Sequence, residues 1–156
     1  MYEVHQNLFV GDDTSCQRGS SDLAVVHACK HPCHVRAVGY TGSLPSNHPN
    51  YLVLKDDFNL YLNMIDPDKP LFMPPLFTEF LEFSKNHWQE GRPILVHCNQ
   101  GESRSPTLAM MFMAKELDII TNSSYQEAAK EFQNIYPSYN PGLGIQTYLR
   151  KNWQNF

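Results

Sequence analysis

Residues 97–106 read His97-Cys98-Asn99-Gln100-Gly101-Glu102-Ser103-Arg104-Ser105-Pro106, directly after the apolar run Ile94-Leu95-Val96. A cysteine and an arginine with five residues between them, set between a buried strand and a helix start, have the parts to cradle a phosphate and attack its phosphorus. The thiolate is the nucleophile, and the arginine offers two parallel N–H donors to phosphate oxygens.

The elements that must position these groups can be read from the flanking residues. Ile94 to Val96 is a short apolar run bounded by Gly91 and Pro93, the pattern of a buried strand. From Ser105 onward Leu108, Met111 and Phe112 recur at helical spacing, and Pro106 suits a first helical turn because its missing N–H had no partner there. The loop between them therefore feeds a helix N-terminus, where unpaired N–H groups and the positive dipole end attract an oxyanion. Gly101 lets successive amides converge on one point, so Asn99, Gln100, Gly101, Glu102, Ser103 and Arg104 are the expected phosphate cradle. Helix N-termini and nearby cations lower cysteine pKa values to roughly 3.5–7.5, so Cys98 is expected to act as a thiolate. Ser105 can donate a hydrogen bond to that sulfur when it leaves again, and His97 is expected to hold loop backbone rather than to attack.

Residues 97–106 resemble the signature loop of the cysteine-dependent protein phosphatases, and the Gly-x-Ser-Arg-Ser-Pro ending resembles their dual-specificity branch. The resemblance is tight over 94–106 and weak before residue 50. It implies phosphate monoester hydrolysis through a cysteinyl-phosphate, with phosphotyrosine, and in some members phosphoserine and phosphothreonine, as substrates. Phosphoinositide phosphatases of the superfamily tend to place lysines in this loop. Here Glu102 would disfavour a polyphosphorylated headgroup. Family members use an aspartic acid about thirty residues before the cysteine as general acid, and Asp66 lies 98 − 66 = 32 positions upstream. Asp68, at 98 − 68 = 30, competes, and Asp56 and Asp57 are more distant alternatives. An acid is needed because a tyrosine oxygen has a conjugate-acid pKa of about 10. Its protonation is typically worth about 10²–10⁴ in rate. Asp66 is expected at the end of a strand, where Pro67 starts a loop.

Composition bounds the rest. The 156 residues suit one domain spanning 1–156 with a real core. Hydrophobic residues at 42% and charged residues at 18% are a globular balance. A net charge of −4 argues against general affinity for nucleic acid or acidic membranes. No apolar run reaches about 18 residues, so no membrane partner is expected, and the first seven residues contain no signal-peptide core. Four cysteines, one of them a nucleophile candidate, fit a reducing compartment, which points to the cytoplasm. The expected partner is a phosphorylated protein or peptide; oligomeric state is left open.

Along the chain, Val4-His5 and Leu8-Phe9-Val10 predict an opening hairpin, and Ala24-Val25-Val26 a second buried strand. Residues 41–50 read as loop, and 51–54 and 60–65 as strands. Helices are expected from Pro74-Pro75 to Gly91, from Ser105 to about Leu117, from the Ser124-x-x-Glu127 box to Pro137, and from Gly142 to Trp153. This order predicts an α/β fold, a central mostly parallel sheet flanked by helices, with the site at a strand's carboxyl end.

The run His27-Ala28-Cys29-Lys30-His31-Pro32-Cys33-His34 places five soft or borderline ligands in eight residues, which suggests zinc. Pro32 interrupts a paired strand, and no second pair follows at zinc-finger spacing. The expectation is therefore no metal and no cofactor, with His31 and His34 as alternative borders of the substrate pocket. Tyr136, Tyr139, Tyr148 and Trp153 could line a phosphotyrosine cleft, but helical spacing makes most of them core, and Asn140 is placed near the loop only by the resemblance. Two other functions stay open: a pseudophosphatase that binds phosphate without turnover, and a rhodanese-like or phosphatase-like enzyme acting on a small phosphorylated metabolite.

Overall fold

The computed structural model describes all residues, Met1–Phe156. Six strands form one sheet in the order β1-β2-β6-β3-β5-β4: β1 Tyr2–His5, β2 Leu8–Gly11, β3 Ala24–His27, β4 Val53–Lys55, β5 Asn59–Leu62 and β6 Ile94–His97. The four inner strands run parallel, and each edge strand is added as an antiparallel hairpin. The sheet is thus mixed at its rims and parallel at its centre. The central strands β3 and β6 are buried throughout, as expected for strands covered on both faces, and this is why they read as continuous apolar runs.

Alternation along these two strands separates two environments. Ala24, Val26, Ile94 and Val96 join the main core, with Leu108, Phe112, Phe77 and Phe80 from the helices. Val25, His27, Leu95 and His97 point to the other face. Five helices complete the fold: α1 Val35–Val38, α2 Pro74–Gln89, α3 Arg104–Lys115, α4 Tyr125–Ile135 and α5 Leu143–Asn152. Helix α2 packs on α3, α3 on α4, and α4 on α5, forming the layer over the main core.

The start and stop signals act locally as expected. Pro74 and Pro75 open α2, and Gly91 turns the chain out after it at φ +73°. The Ser124 hydroxyl accepts the Glu127 N–H at 3.1 Å. One expectation fails at β5, which ends at Leu62 instead of reaching Ile65. The Met64 carbonyl, which a sheet neighbour would have taken, accepts instead from the Lys30 amide at 3.0 Å and from Arg104 Nη1 at 3.0 Å. Asp66 therefore lies in a loop beyond the strand rather than at its end. The expected loop after β3 also contains short helical structure: a wide turn at Lys30–His34 leads into α1. No helix is long and apolar enough to cross a membrane.

Candidate active site

Strand β6 delivers Cys98 at its carboxyl end, and α3 starts six residues later at Arg104. The intervening loop curls around the cysteine sulfur. Gly101 N–H points at Cys98 Sγ at 3.3 Å, and Ser105 Oγ lies 3.1 Å from it. Gly101 adopts φ +71°, and a Cβ there would meet the Gly11 carbonyl oxygen at 3.2 Å, so the turn needs glycine both for its backbone and for its packing. The amides of Asn99, Gln100, Glu102 and Ser103 donate to no other group of the protein. Together with the N-terminus of α3 they form an anion-seeking ring above a buried thiol.

Arg104 closes this ring. Its Nη1 donates to the Met64 carbonyl at 3.0 Å and its Nη2 to Asn99 Oδ1 at 2.8 Å, while its buried Nε has no partner. Two of its five N–H donors fix the plane of the guanidinium, and three remain for a ligand, the buried Nε–H among them. Ser105 has a single proton and two claimants: it donates to the Gly11 carbonyl at 3.1 Å and sits within reach of Cys98 Sγ. Such a hydroxyl can turn to a sulfur that carries charge.

The loop is held from outside by Gly11 and Asp13, which sequence reasoning missed, and by Tyr136, which it placed only as core or cleft. Gly11 O accepts the Cys98 amide at 3.2 Å, and the Asp13 amide donates to Asn99 O at 3.2 Å. Tyr136 donates its hydroxyl to Gly101 O at 2.8 Å, and burial, with Cys98 nearby, keeps that phenol above its usual range and hence protonated. Nothing in residues 11–13 marks them locally. They reach the site because β2 pairs with β6 in register Gly11↔His97. The Asn140 amide donates to Glu102 O at 2.8 Å, so this residue does meet the loop. Tyr139, Tyr148 and Trp153 are buried.

Asp66 is exposed and lies against Gly142: a Cβ on Gly142 would come within 2.5 Å of Asp66 Oδ1. The Gly142 amide in turn donates to Ser103 Oγ at 2.9 Å. The start of α5 thus links the Asp66 loop to the loop between β6 and α3, and it is Asp66, not Asp68, whose carboxylate meets that link. Asp56 is instead bound into β5, accepting from Asn59 N at 2.8 Å.

His97 departs from expectation. Its Nδ1 makes no hydrogen bond, and its Nε2 lies 2.8 Å from His27 Nδ1 on the far face of the sheet. Burial, with His27 beside it, pulls this imidazole down to about 4, so it is neutral. His34 is buried between the Tyr40 hydroxyl and the Asn50 carbonyl and borders no pocket at the loop. His31 touches the site through its backbone, accepting from Asn99 Nδ2 at 2.9 Å. A surface groove of about 1020 Å³ between Tyr51, Leu54, Leu71 and Met73 includes no residue of the loop.

No family model matches the chain. The human dual specificity protein phosphatase 9 is 26% identical over 103 residues, covering 66% of this chain and 27% of that protein. The Caenorhabditis elegans tyrosine-protein phosphatase vhp-1 is 26% identical over 92 residues, covering 59% and 14%. The chain thus spans about a quarter or less of the curated relatives it matches. Among solved structures, the human tyrosine phosphatase-like serine/threonine/tyrosine-interacting protein superposes with TM-score 0.64 at 19% identity, over 98% of this chain and 95% of that one. Human DUSP28 gives TM-score 0.65 at 16% identity, over 97% and 94%. Loop, sequence relatives and fold agree: over about a hundred residues the chain is similar in sequence to dual-specificity and tyrosine-protein phosphatases, and over nearly its whole length it shares the fold of dual-specificity-phosphatase-like structures.

Proposed function

We propose that the chain hydrolyses phosphate monoesters in phosphoproteins, phosphotyrosine first, with residues 1–156 as one catalytic domain. The observation that carries this reading is the set of groups converging on Cys98: the Gly101 N–H at 3.3 Å, the Ser105 hydroxyl at 3.1 Å and a guanidinium whose buried Nε has no partner. In the first step Cys98 Sγ attacks phosphorus in line, the S–P bond forms and the P–O ester bond breaks. Amides of Asn99 to Ser103 and Arg104 hold the equatorial oxygens, whose charge they neutralise best in the transition state. Asp66 gives its proton to the departing oxygen. The same carboxylate then takes a proton from water as that water attacks phosphorus, and the thiolate leaves toward the Ser105 hydroxyl.

A binding module has no use for a nucleophile whose sulfur is already served by an amide and a hydroxyl, so the catalytic reading is preferred. The four cysteines are all free, which supports a reducing compartment such as the cytoplasm. The deciding experiment compares wild type with Cys98→Ser on an aryl phosphate, alongside phosphotyrosine, phosphoserine and phosphothreonine peptides. Wild type should turn over, and Cys98→Ser should be inactive yet bind vanadate. A fully active Cys98→Ser overturns the mechanism. Inactivity of a folded wild type on every one of these substrates favours the binding module or a narrow metabolite substrate.

A further inference from the structure

We propose that Cys16, His27, Cys33 and His97 form a tetrahedral zinc site on the face of the sheet turned away from α2–α5. Their ligand atoms all lie within 4.8 Å of one another. Cys16 Sγ is 3.8 Å from Cys33 Sγ and 3.8 Å from His27 Nδ1; Cys33 Sγ is 4.0 Å from His97 Nε2; and the two imidazole nitrogens are 2.8 Å apart. Tetrahedral zinc with its usual bond lengths needs edges of roughly 3.8 Å between sulfurs, 3.5 Å between sulfur and nitrogen, and 3.4 Å between nitrogens. The sulfur edge already matches. The other three of these edges lie within about 0.6 Å of the tetrahedral lengths, and the two remaining sulfur–nitrogen edges, at no more than 4.8 Å, shorten by at most about 1.3 Å on closure.

The surroundings are those of a metal ligand shell. The Gly19 amide can only donate, and it does so to Asn59 Oδ1 at 2.7 Å, which fixes the orientation of that side chain. Asn59 Oδ1 must therefore accept from His27 Nε2, at 3.0 Å, which puts the proton on Nε2 and the free lone pair on Nδ1, toward the cluster. Asp56 holds the other end of Asn59, whose Nδ2 donates to its Oδ1 at 3.0 Å. Tyr61 stacks on the His27 ring at 4.3 Å and fixes its plane. A carboxylate–amide–imidazole chain of this kind orients a ligand before any metal arrives.

The sheet register explains why the sequence hid the site. His27 and His97 are register partners on adjacent parallel strands and so share a face. The missing second pair is supplied by Cys16, from the loop after β2, and by His97, seventy positions beyond His27. A cleft of about 290 Å³, lined by Cys16, Cys33, His27, Pro32 and Arg36 among others, opens on the cluster, and Cys16 itself is exposed. On binding, each thiol releases its proton to solvent, the His97 proton passes from Nε2 to its unpartnered Nδ1, and two thiolates with two neutral imidazoles leave a zinc centre of zero net charge. The turn that carries Cys33 also carries the His31 carbonyl holding Asn99. The ion would thus brace one anchor of the phosphate loop.

The test uses the full chain, reduced and stripped of metal by a chelator, with zinc alone and then cobalt(II) as probes. Wild type and Cys98→Ser should each bind one zinc per chain. Cobalt(II) should give the intense visible bands of a tetrahedral site with thiolate charge transfer. Cys16→Ser, checked for folding by circular dichroism, should weaken zinc at least about 100-fold, more than loss of an outer-shell partner typically does, and should remove about half of the thiolate charge-transfer intensity. Absence of zinc binding by the folded wild type overturns the site. So does binding lost in Cys98→Ser but kept in Cys16→Ser, which would put the metal at the loop cysteine, and so does recovery of Cys16 and Cys33 as a disulfide. None of these readouts depends on turnover.

Discussion

Asn99 and Arg104 are joined side chain to side chain: Arg104 Nη2 donates to Asn99 Oδ1 at 2.8 Å, and Asn99 Nδ2 passes the connection on to the His31 carbonyl at 2.9 Å. Asn99 enters the site through its backbone amide, but its side chain is what aims the guanidinium. A hydrogen bond to a charged group contributes about 1.5–3 kcal/mol. Asn99→Ala should therefore lower kcat/KM roughly 10- to 100-fold and weaken vanadate binding, with Cys98 still reactive toward iodoacetate. Unchanged vanadate affinity would remove Asn99 from the positioning of Arg104.

Ser105 sits between the Gly11 carbonyl and Cys98 Sγ. If its proton serves the leaving thiolate, Ser105→Ala should slow breakdown of the cysteinyl-phosphate more than its formation. Stopped-flow mixing with an aryl phosphate should then show a burst of phenol followed by slow turnover, the signature of a stalled covalent intermediate. A uniform loss without a burst would assign Ser105 to loop packing alone.

The carboxylate of Asp66 abuts Gly142, whose amide reaches Ser103. Asp66→Asn should reduce kcat on phosphotyrosine by about 10²–10⁴, and should affect aryl phosphates with good leaving groups much less. Asp68→Asn should leave both rates near wild type. Equal losses on both substrates for Asp66→Asn would point to a folding defect, and a selective loss for Asp68→Asn would transfer the acid role.

Acid stability carries a further prediction. Burial and the adjacent Arg92 hold the His87 imidazole below its ordinary range, and its Nδ1 accepts from Arg92 Nη1 at 2.7 Å. The unfolded chain therefore takes up this proton first. The contribution of His87 is fully present above about pH 6.5 and is lost as pH falls from there toward the lowered folded value. His87→Gln, which keeps an acceptor for Arg92, should flatten the fall of Tm between pH 7 and 5. An identical Tm–pH slope in the variant would contradict this.

How much of this was legible beforehand depends on the range of the forces involved. The helix boundaries at Pro74-Pro75, Gly91, Ser124 and Gly142 were readable because capping and backbone preferences act within a few residues. The loop around Cys98 was readable for the same reason, since strand, glycine turn, arginine and helix start are contiguous from Ile94 to Pro106. The end of β5 was not. Asn59 to Ile65 keeps its apolar alternation, but a tertiary competitor, Arg104, takes the Met64 carbonyl forty positions away along the chain.

By itself, then, the amino-acid sequence determined the make-up of the loop between β6 and α3 and the α/β layering, because both follow from contiguous pattern: period-two and period-3.6 burial, caps, and a thiol at a helix N-terminus. Only the tertiary structure decided which distant groups serve that loop. Gly11 and Asp13 reach it through strand pairing, Tyr136 and Gly142 through helix packing, and His31 through the turn after β3. It alone also set His27 beside His97 and brought Cys16 and Cys33 to them. The physical reason is that sheet register and helix docking are settled by burial summed over the whole core, and no local spacing encodes which side chains that sum will place side by side.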